Sequence, residues 1–474
     1  MSQDIHYWIS ESNRVRSFKA RPNPGASPAP ALSGPNPKGI IDRFALIPIV
    51  ACIFATIISP LEYTIFNLPT TETRVDTRLF WPVMAAISVV SVLQHRSRLP
   101  KPLPSHLICL FAYLAFAGAS ILWSFIPSVS LTRFAQQAMI VACIILPALL
   151  AAPRSDILRG LFLWCFAPAA ILNVAFVLGN SPSVVAALKG HPGYFLGKNY
   201  LGEFAAIPLL MALHEMLYPG RRRVYGLLIL AIAAWLLFWA NSKTALGLAL
   251  LVPLVAGLTL LVRKLTRLSP AVILLSVPLC FLVLSSVSNF GLERLSYMIY
   301  GDSSLTGRTV IWDFANTEIA RRPLLGWGYQ SFWLAGPNAP SLTDGHGWVT
   351  TMPDGHSGYV DTKLELGYVG LAFLISFILT TLHGVGRMAD RAPARAWLVL
   401  SLALYVIVYN FLESLWMRGF EFLWVMFLIL AADIARYCRP VPPRRVARGW
   451  RSQGQGARIG SPSAHGVQPG VGPP

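Results

Sequence analysis

Two side chains suited to group-transfer chemistry bracket one hydrophilic stretch of an otherwise apolar chain. Arg308 lies near its start and His356 just past its end. A guanidinium supplies fixed positive charge and paired donors for an anionic leaving group. An imidazole, with an ordinary pKa near neutrality, can take the proton of an attacking hydroxyl. The stretch runs from Asn289 to Gly355 and leads into His356-Ser357-Gly358-Tyr359, where an apolar run begins. Any chemistry is therefore expected where this module meets the bilayer.

His356 immediately precedes a helix, and the positive end of the helix dipole predicts a neutral imidazole able to act as a base. Helical spacing places Tyr359 and Lys363 on its side and Glu365 on the opposite face. Within the module, Thr306 is a candidate N-cap, and Arg308 and Trp312 share one side of a helix ending at Arg322-Pro323. Gly326-Trp327-Gly328-Tyr329 reads as a tight turn, and Pro337 to Gly355 as an irregular crossing.

Further polar groups gather at the ends of apolar runs on the same face. Lys198 and Asn199 open the sixth run, Lys243 lies between the seventh and eighth, and Glu413 and Arg418 precede the last. Singly, each fits a snorkelling or capping role. Together, Lys198, Lys243, Arg308 and Arg418 put four cations on a face that should be poor in them, which suits an anion held at the outer leaflet, such as a pyrophosphate-linked lipid. Glu413 is a second candidate base or an arginine partner.

The scaffold that must position these groups is a membrane one. Hydrophobic residues make up 54% of the chain and charged residues 13%, a balance outside the range of ordinary soluble domains. Apolar runs long enough for helical spans recur about twelve times. The expected architecture is an all-α, polytopic helical bundle with one large periplasmic loop containing short helices. Residues 1–43 and 438–474 read as disordered cytoplasmic tails, 44–288 as nine spans, 289–356 as the loop, and 357–437 as three more spans.

Clusters such as Arg221-Arg222-Arg223 and Arg263-Lys264 alternate with loops poorer in Lys and Arg, which predicts both termini in the cytoplasm and the large loop outside. The formal charge of +18 then reflects topology and attraction to anionic lipid, and no nucleic-acid partner is expected. The six cysteines show no paired spacing, so neither disulfides nor a metal is predicted. No nucleotide-binding loop or zinc-protease pattern occurs.

The ordered motifs of this chain resemble the O-antigen ligase and exopolysaccharide polymerase superfamily of lipid-linked glycan transferases. The resemblance rests on Gly197-Lys198-Asn199-Tyr200, Asn241-Ser242-Lys243-Thr244, Thr306-Gly307-Arg308, Arg322-Pro323, Gly326-Trp327-Gly328, the segment from His356 to Gly367, and Asn410 with Glu413. It covers roughly Leu161 to Ala435 and looks most like the exopolysaccharide-production branch.

The resemblance implies metal-independent inverting transfer, with no cofactor, from an undecaprenyl-pyrophosphate-linked glycan at the periplasmic face of a bacterial inner membrane. It carries the lipid-pyrophosphate contact to Arg308 and the base to His356. Relatives often have an arginine shortly before Gly197; here the stretch is His191-Pro192-Gly193-Tyr194, with Lys198 and His191 as substitutes.

The acceptor would be a sugar hydroxyl of a lipid-linked repeat unit, for a polymerase, or of a lipid A core, for an O-antigen ligase. Other polysaccharide-assembly proteins are candidate partners. Two readings of another class are a polysaccharide-lipid flippase and a non-catalytic scaffold. A flippase needs polar groups near the bilayer centre, whereas the ionisable residues here gather at one face.

Overall fold

The computed structural model describes residues 47–66, 75–151, 156–288, 291, 294, 297–298, 307–419 and 421–438. Over these residues the chain is helical, with no strand. The N-terminal tail, Thr306 and all of the C-terminal tail except Cys438 lie outside them; Cys438, expected in that tail, instead caps the last helix.

Each apolar run is a helix. In chain order these are α1 (Ile47–Phe66), α2 (Val75–Gln94), α3 (Ser105–Ala119), α4 (Pro127–Leu150) and α5 (Ile157–Gly179). A short α6 (Pro182–Leu188) precedes α7 (Lys198–Glu215), α8 (Arg221–Ala240), α9 (Lys243–Thr266) and α10 (Pro270–Ser288). The loop contributes α11 (Arg308–Arg321), and α12 (Gly358–Ala389), α13 (Pro393–Tyr409) and α14 (Phe422–Tyr437) follow.

Among the described residues, seven helices are long and apolar enough to cross a membrane, fewer than the sequence reading expects. Placement explains part of the difference. Helices α7 and α14 are enclosed by protein along most of their length, so neither requires a long lipid-facing apolar surface. At the other extreme, α10 fully buries only Pro270 and Ala271 and presents most of its other apolar side chains outward, as a helix bathed in lipid can.

The loop module has its own small core of Ile311, Ala315, Ile319, Trp327, Phe332, Trp333, Val349 and Leu364. The crossing expected to be irregular contains a helical turn at Pro340–Thr343 and a 3-10 turn at Gly347–Thr351.

This module is pinned to the bundle where α12 breaks. Gly367 has φ 67° and ψ −169°, and the carbonyls and amides freed by that break find partners in the loop. Trp327 and Gly328 donate to the carbonyls of Leu364 and Glu365 at 3.0 and 2.8 Å, while Tyr368 donates to Pro323 at 2.8 Å. A membrane helix can be interrupted only where its polar backbone is paired again. The crossing is so close that a Cβ on Gly367 would lie 2.1 Å from the Leu324 oxygen, and one on Gly326 would lie 2.4 Å from the Glu365 carbonyl carbon.

Candidate active site at the rim of the bundle

Three side chains from separate elements meet at one end of the bundle. The N-terminus of α11 supplies Arg308, the residue pair before α12 supplies His356, and the turn between α13 and α14 supplies Glu413. Arg308 Nη2 donates to Glu413 Oε1 at 2.9 Å. The other carboxylate oxygen, Oε2, lies 3.4 Å from His356 Nδ1. Glu413 thus bridges two residues separated from it by 105 and 57 positions.

Local sequence explains how each arrives. The N-cap of α11 is Gly307, at φ 88°, rather than Thr306, so the helix starts directly on Arg308. At the turn, Asn410 Oδ1 accepts the amides of Leu415 and Trp416 at 3.1 and 3.0 Å. The Gly358 amide, at the head of α12, donates to the carbonyls of both Asn410 and Glu413. The acidic turn and the start of α12 are therefore one hydrogen-bonded unit.

His356 has φ 47° and precedes the N-cap Ser357, so it is outside the helix and the helical-face assignment of Tyr359, Lys363 and Glu365 relative to it does not apply. The dipole expectation is also overturned. The Glu413 carboxylate beside Nδ1 raises the imidazole pKa above its ordinary value, aided by Asp354 and opposed by burial and by Arg308. A direct carboxylate partner outweighs a terminal dipole worth about 0.3–1 kcal/mol.

Arg308 and His356 both retain hydrogen-bonding capacity. Arg308 Nε is buried and has no partner, and among the described residues no group bonds His356 Nε2. The side chains of Arg308, Glu413 and His356 are 18%, 24% and 31% exposed, so a ligand can reach them.

Arg418 belongs to a neighbouring network. Its Nη2 donates to Asp361 Oδ2 at 2.6 Å and to Glu365 Oε1 at 3.2 Å. Burial opposes its charge, but these two carboxylates hold its pKa above the ordinary arginine value. Glu365 also accepts the Gln330 amide at 2.9 Å, and Arg133 donates to the Gln330 carbonyl. Glu421 lies on the same rim, and burial with Asp354 and Glu413 nearby pushes its pKa up to about 7.

The lysines stand apart from the trio. Lys198 Nζ donates to the Lys189 carbonyl at 3.4 Å, which also accepts from Asn241 Nδ2 at 2.8 Å. Asn199 and Lys243 are exposed at the first turns of α7 and α9. Among the described residues no hydrogen bond or ion pair joins Lys198 or Lys243 to Arg308, His356 or Glu413. His191 packs edge-on against Trp239, with Nδ1 buried and unpartnered. Tyr359 donates its hydroxyl to the Ile407 carbonyl at 2.9 Å and packs on Phe411, so its ring is what it offers a ligand.

Sequence reasoning passed over Asp361, Asp354, Ser414 and Trp333. Asp361 carried a signal, an acid in the first turn of an apolar helix. Among the described residues no group of three or more His, Cys, Asp or Glu side chains could hold a metal ion.

Comparison with known proteins adds the family context. A family model described as O-antigen ligase matches residues 228–375, a span that includes Lys243, Arg308 and His356. The chain is 28% identical over 295 residues to the exopolysaccharide production protein ExoQ of Rhizobium meliloti, covering 58% of this chain and 64% of that protein. It is 27% identical over 131 residues to a Rickettsia bellii protein named as a candidate polysaccharide ligase, covering 27% and 32%. The chain thus spans less than two thirds of the length of these relatives.

Proposed function

We propose that this chain, which belongs to the O-antigen ligase and exopolysaccharide polymerase superfamily, transfers a glycan from undecaprenyl pyrophosphate to a sugar hydroxyl at the exterior face of the membrane. The bridging of Arg308 and His356 by Glu413 carries this reading. In the bacterial inner membrane this face is the periplasmic one, with about twelve spans and both termini in the cytoplasm.

Glu413 holds the imidazole with its proton on Nδ1, leaving Nε2 to accept the proton of the acceptor hydroxyl. The hydroxyl oxygen attacks the anomeric carbon opposite the leaving group, inverting its configuration. The anomeric carbon–oxygen bond to pyrophosphate breaks, and the electron pair leaves with the lipid pyrophosphate. Arg308 meets the growing charge with donors that Glu413 does not occupy, because only Nη2 is engaged by it. A fixed guanidinium then fills the role that a metal plays in many phosphate-departing reactions.

Lys198, His191 and Lys243 are assigned to the outer parts of the donor, and the ring of Tyr359 to its apolar flank. Arg418 is assigned to the frame behind the site. The acceptor is a lipid-linked repeat unit, as suits a polymerase and the name of the exopolysaccharide relative. The polysaccharide-ligase name of the Rickettsia relative favours the second reading, transfer to a lipid A core.

The test is turnover of a defined undecaprenyl-pyrophosphate oligosaccharide by purified protein in detergent, without an ion gradient. Elongated glycan is expected from the wild type, and at most traces of it from Arg308→Ala or His356→Ala. Wild-type rates in both variants would overturn the assignment. A requirement for a gradient would return the flippase reading.

A further inference from the structure

The reaction proposed above requires His356 to point at an acceptor from a backbone conformation that a residue with a Cβ rarely adopts. Its φ of 47° lies in the left-handed region, so surrounding bonds must define it. Every peptide group around it is held. Gly355 donates its amide to Asp361 Oδ1 and Oδ2 at 3.0 and 3.1 Å, and its carbonyl accepts from Trp312 Nε1 at 2.9 Å. The His356 amide donates to Asp354 Oδ1 at 2.9 Å, and the Ser357 amide to Ser414 Oγ at 2.9 Å.

Asp361 is the centre of this cradle. Besides the Gly355 amide it accepts Trp333 Nε1 at 2.8 Å and Arg418 Nη2 at 2.6 Å. Its side chain is 4% exposed, so no ligand is expected to reach it, and every bond it makes leads to the His356 segment or to the frame behind it. The contact is also steric: a Cβ on Gly355 would lie 2.6 Å from Asp361 Oδ1.

We infer that Asp361, balanced by Arg418, is the positioning residue for His356: it clamps the Gly355 peptide and so fixes the imidazole against Glu413 for proton abstraction. Arg418 thereby acts through a buried carboxylate and touches no phosphate. The inference rests on the transferase reading above.

Two variants attack the clamp from opposite sides. Asp361→Asn replaces an acceptor of several donors by an amide, and Gly355→Ala pushes the same contact apart without changing any charge. Turnover is measured against donor concentration in the in vitro assay. A displacement near 1 Å at a reacting group can lower rate about 100-fold, so kcat should fall by about that factor while donor KM stays within roughly threefold, since Arg308 is untouched.

A second readout needs no substrate. The His356 titration, followed by NMR of histidine-labelled protein with His356→Gln as the assignment control, should drop toward about 6.5 in both variants as the Glu413 contact loosens. Gly355→Ala separates this from a simple loss of negative charge. Wild-type kcat and wild-type titration in both folded variants would overturn the inference, as would raised KM with unchanged kcat. Should Asp361→Asn not fold, Gly355→Ala with Trp312→Phe decides by the same readouts. A wild type without turnover sinks the transferase reading alone, and the titration still judges the clamp.

Discussion

Arg395 and Arg308 are both largely buried arginines facing carboxylates, yet their surroundings differ. Arg395, at the N-terminus of α13, gives Nε and Nη2 to Asp433 at 2.8 and 3.0 Å and Nη1 to Asp156. Asp433 is fully buried and also pairs with Arg436 at 3.3 Å. Arg308 gives Nη2 to one carboxylate that it shares with a histidine, and its Nε has no partner. A closed, fork-to-fork pair locks α13 to α14 and to the start of α5. The open pair leaves a donor, Arg308 Nε, that no described residue fills. Unfilled hydrogen-bonding capacity, more than charge, separates a site from a bolt.

The largest expected difference comes from disabling each end. His356→Ala should reduce transfer by roughly 10²–10⁴-fold with unchanged yield and thermal unfolding in detergent. Asp433→Ala leaves the buried Arg395 without its main partner, and breaking such a pair costs about 3–5 kcal/mol. Lost protein and a lowered Tm are therefore expected before any catalytic defect can be seen. If Asp433→Ala retained wild-type Tm, or His356→Ala lost its fold, the contrast between the two ends would fail.

Gly367→Ala should fall between these cases. Its φ and ψ, 67° and −169°, lie in a region open almost only to glycine, and holding an alanine there costs about 1–3 kcal/mol. The same crossing holds the loop that carries Arg308, so Tm and transfer rate should decline together. Unchanged transfer in a destabilised Gly367→Ala protein would show that the break in α12 serves folding only.

The helices were largely legible because their signal is local: apolar runs from Leu107, Ile157 and Tyr359 correspond to α3, α5 and α12 within a few residues. Arg308 and His356 stand out as the groups near the start and at the end of the one hydrophilic stretch. Their meeting at Glu413 was not legible, because it depends on how the α13–α14 turn folds back through Asn410 onto Gly358. The partners of Arg418 are hidden for the same reason. Its partners, Asp361 and Glu365, are 57 and 53 positions away, and one-dimensional charge counting makes any exterior arginine look free. The left-handed backbone of His356 has no sequence signature at all, since histidine carries no glycine's licence for it.

The finest distinction between the two ends is pH sensitivity. At the closed end, among the described residues, no imidazole bonds Arg395 or Asp433; the nearby histidine, His214, faces Glu215 and Asp156 and takes no part in transfer. At the open end, a base must be neutral to work, and Glu413 raises the His356 pKa by hydrogen bonding and by charge. Activity should therefore rise with pH through that raised value, above the ordinary imidazole pKa of about 6.5. Glu413→Gln removes the principal raising contact, so the imidazole releases its proton more readily and the ascending limb of kcat should move to lower pH. Its maximal rate should also fall, because the Nδ1 partner that selects the tautomer is weakened. A limb that stays in place, or moves to higher pH, would mean that Glu413 serves only Arg308 and that the imidazole is not the titrating base.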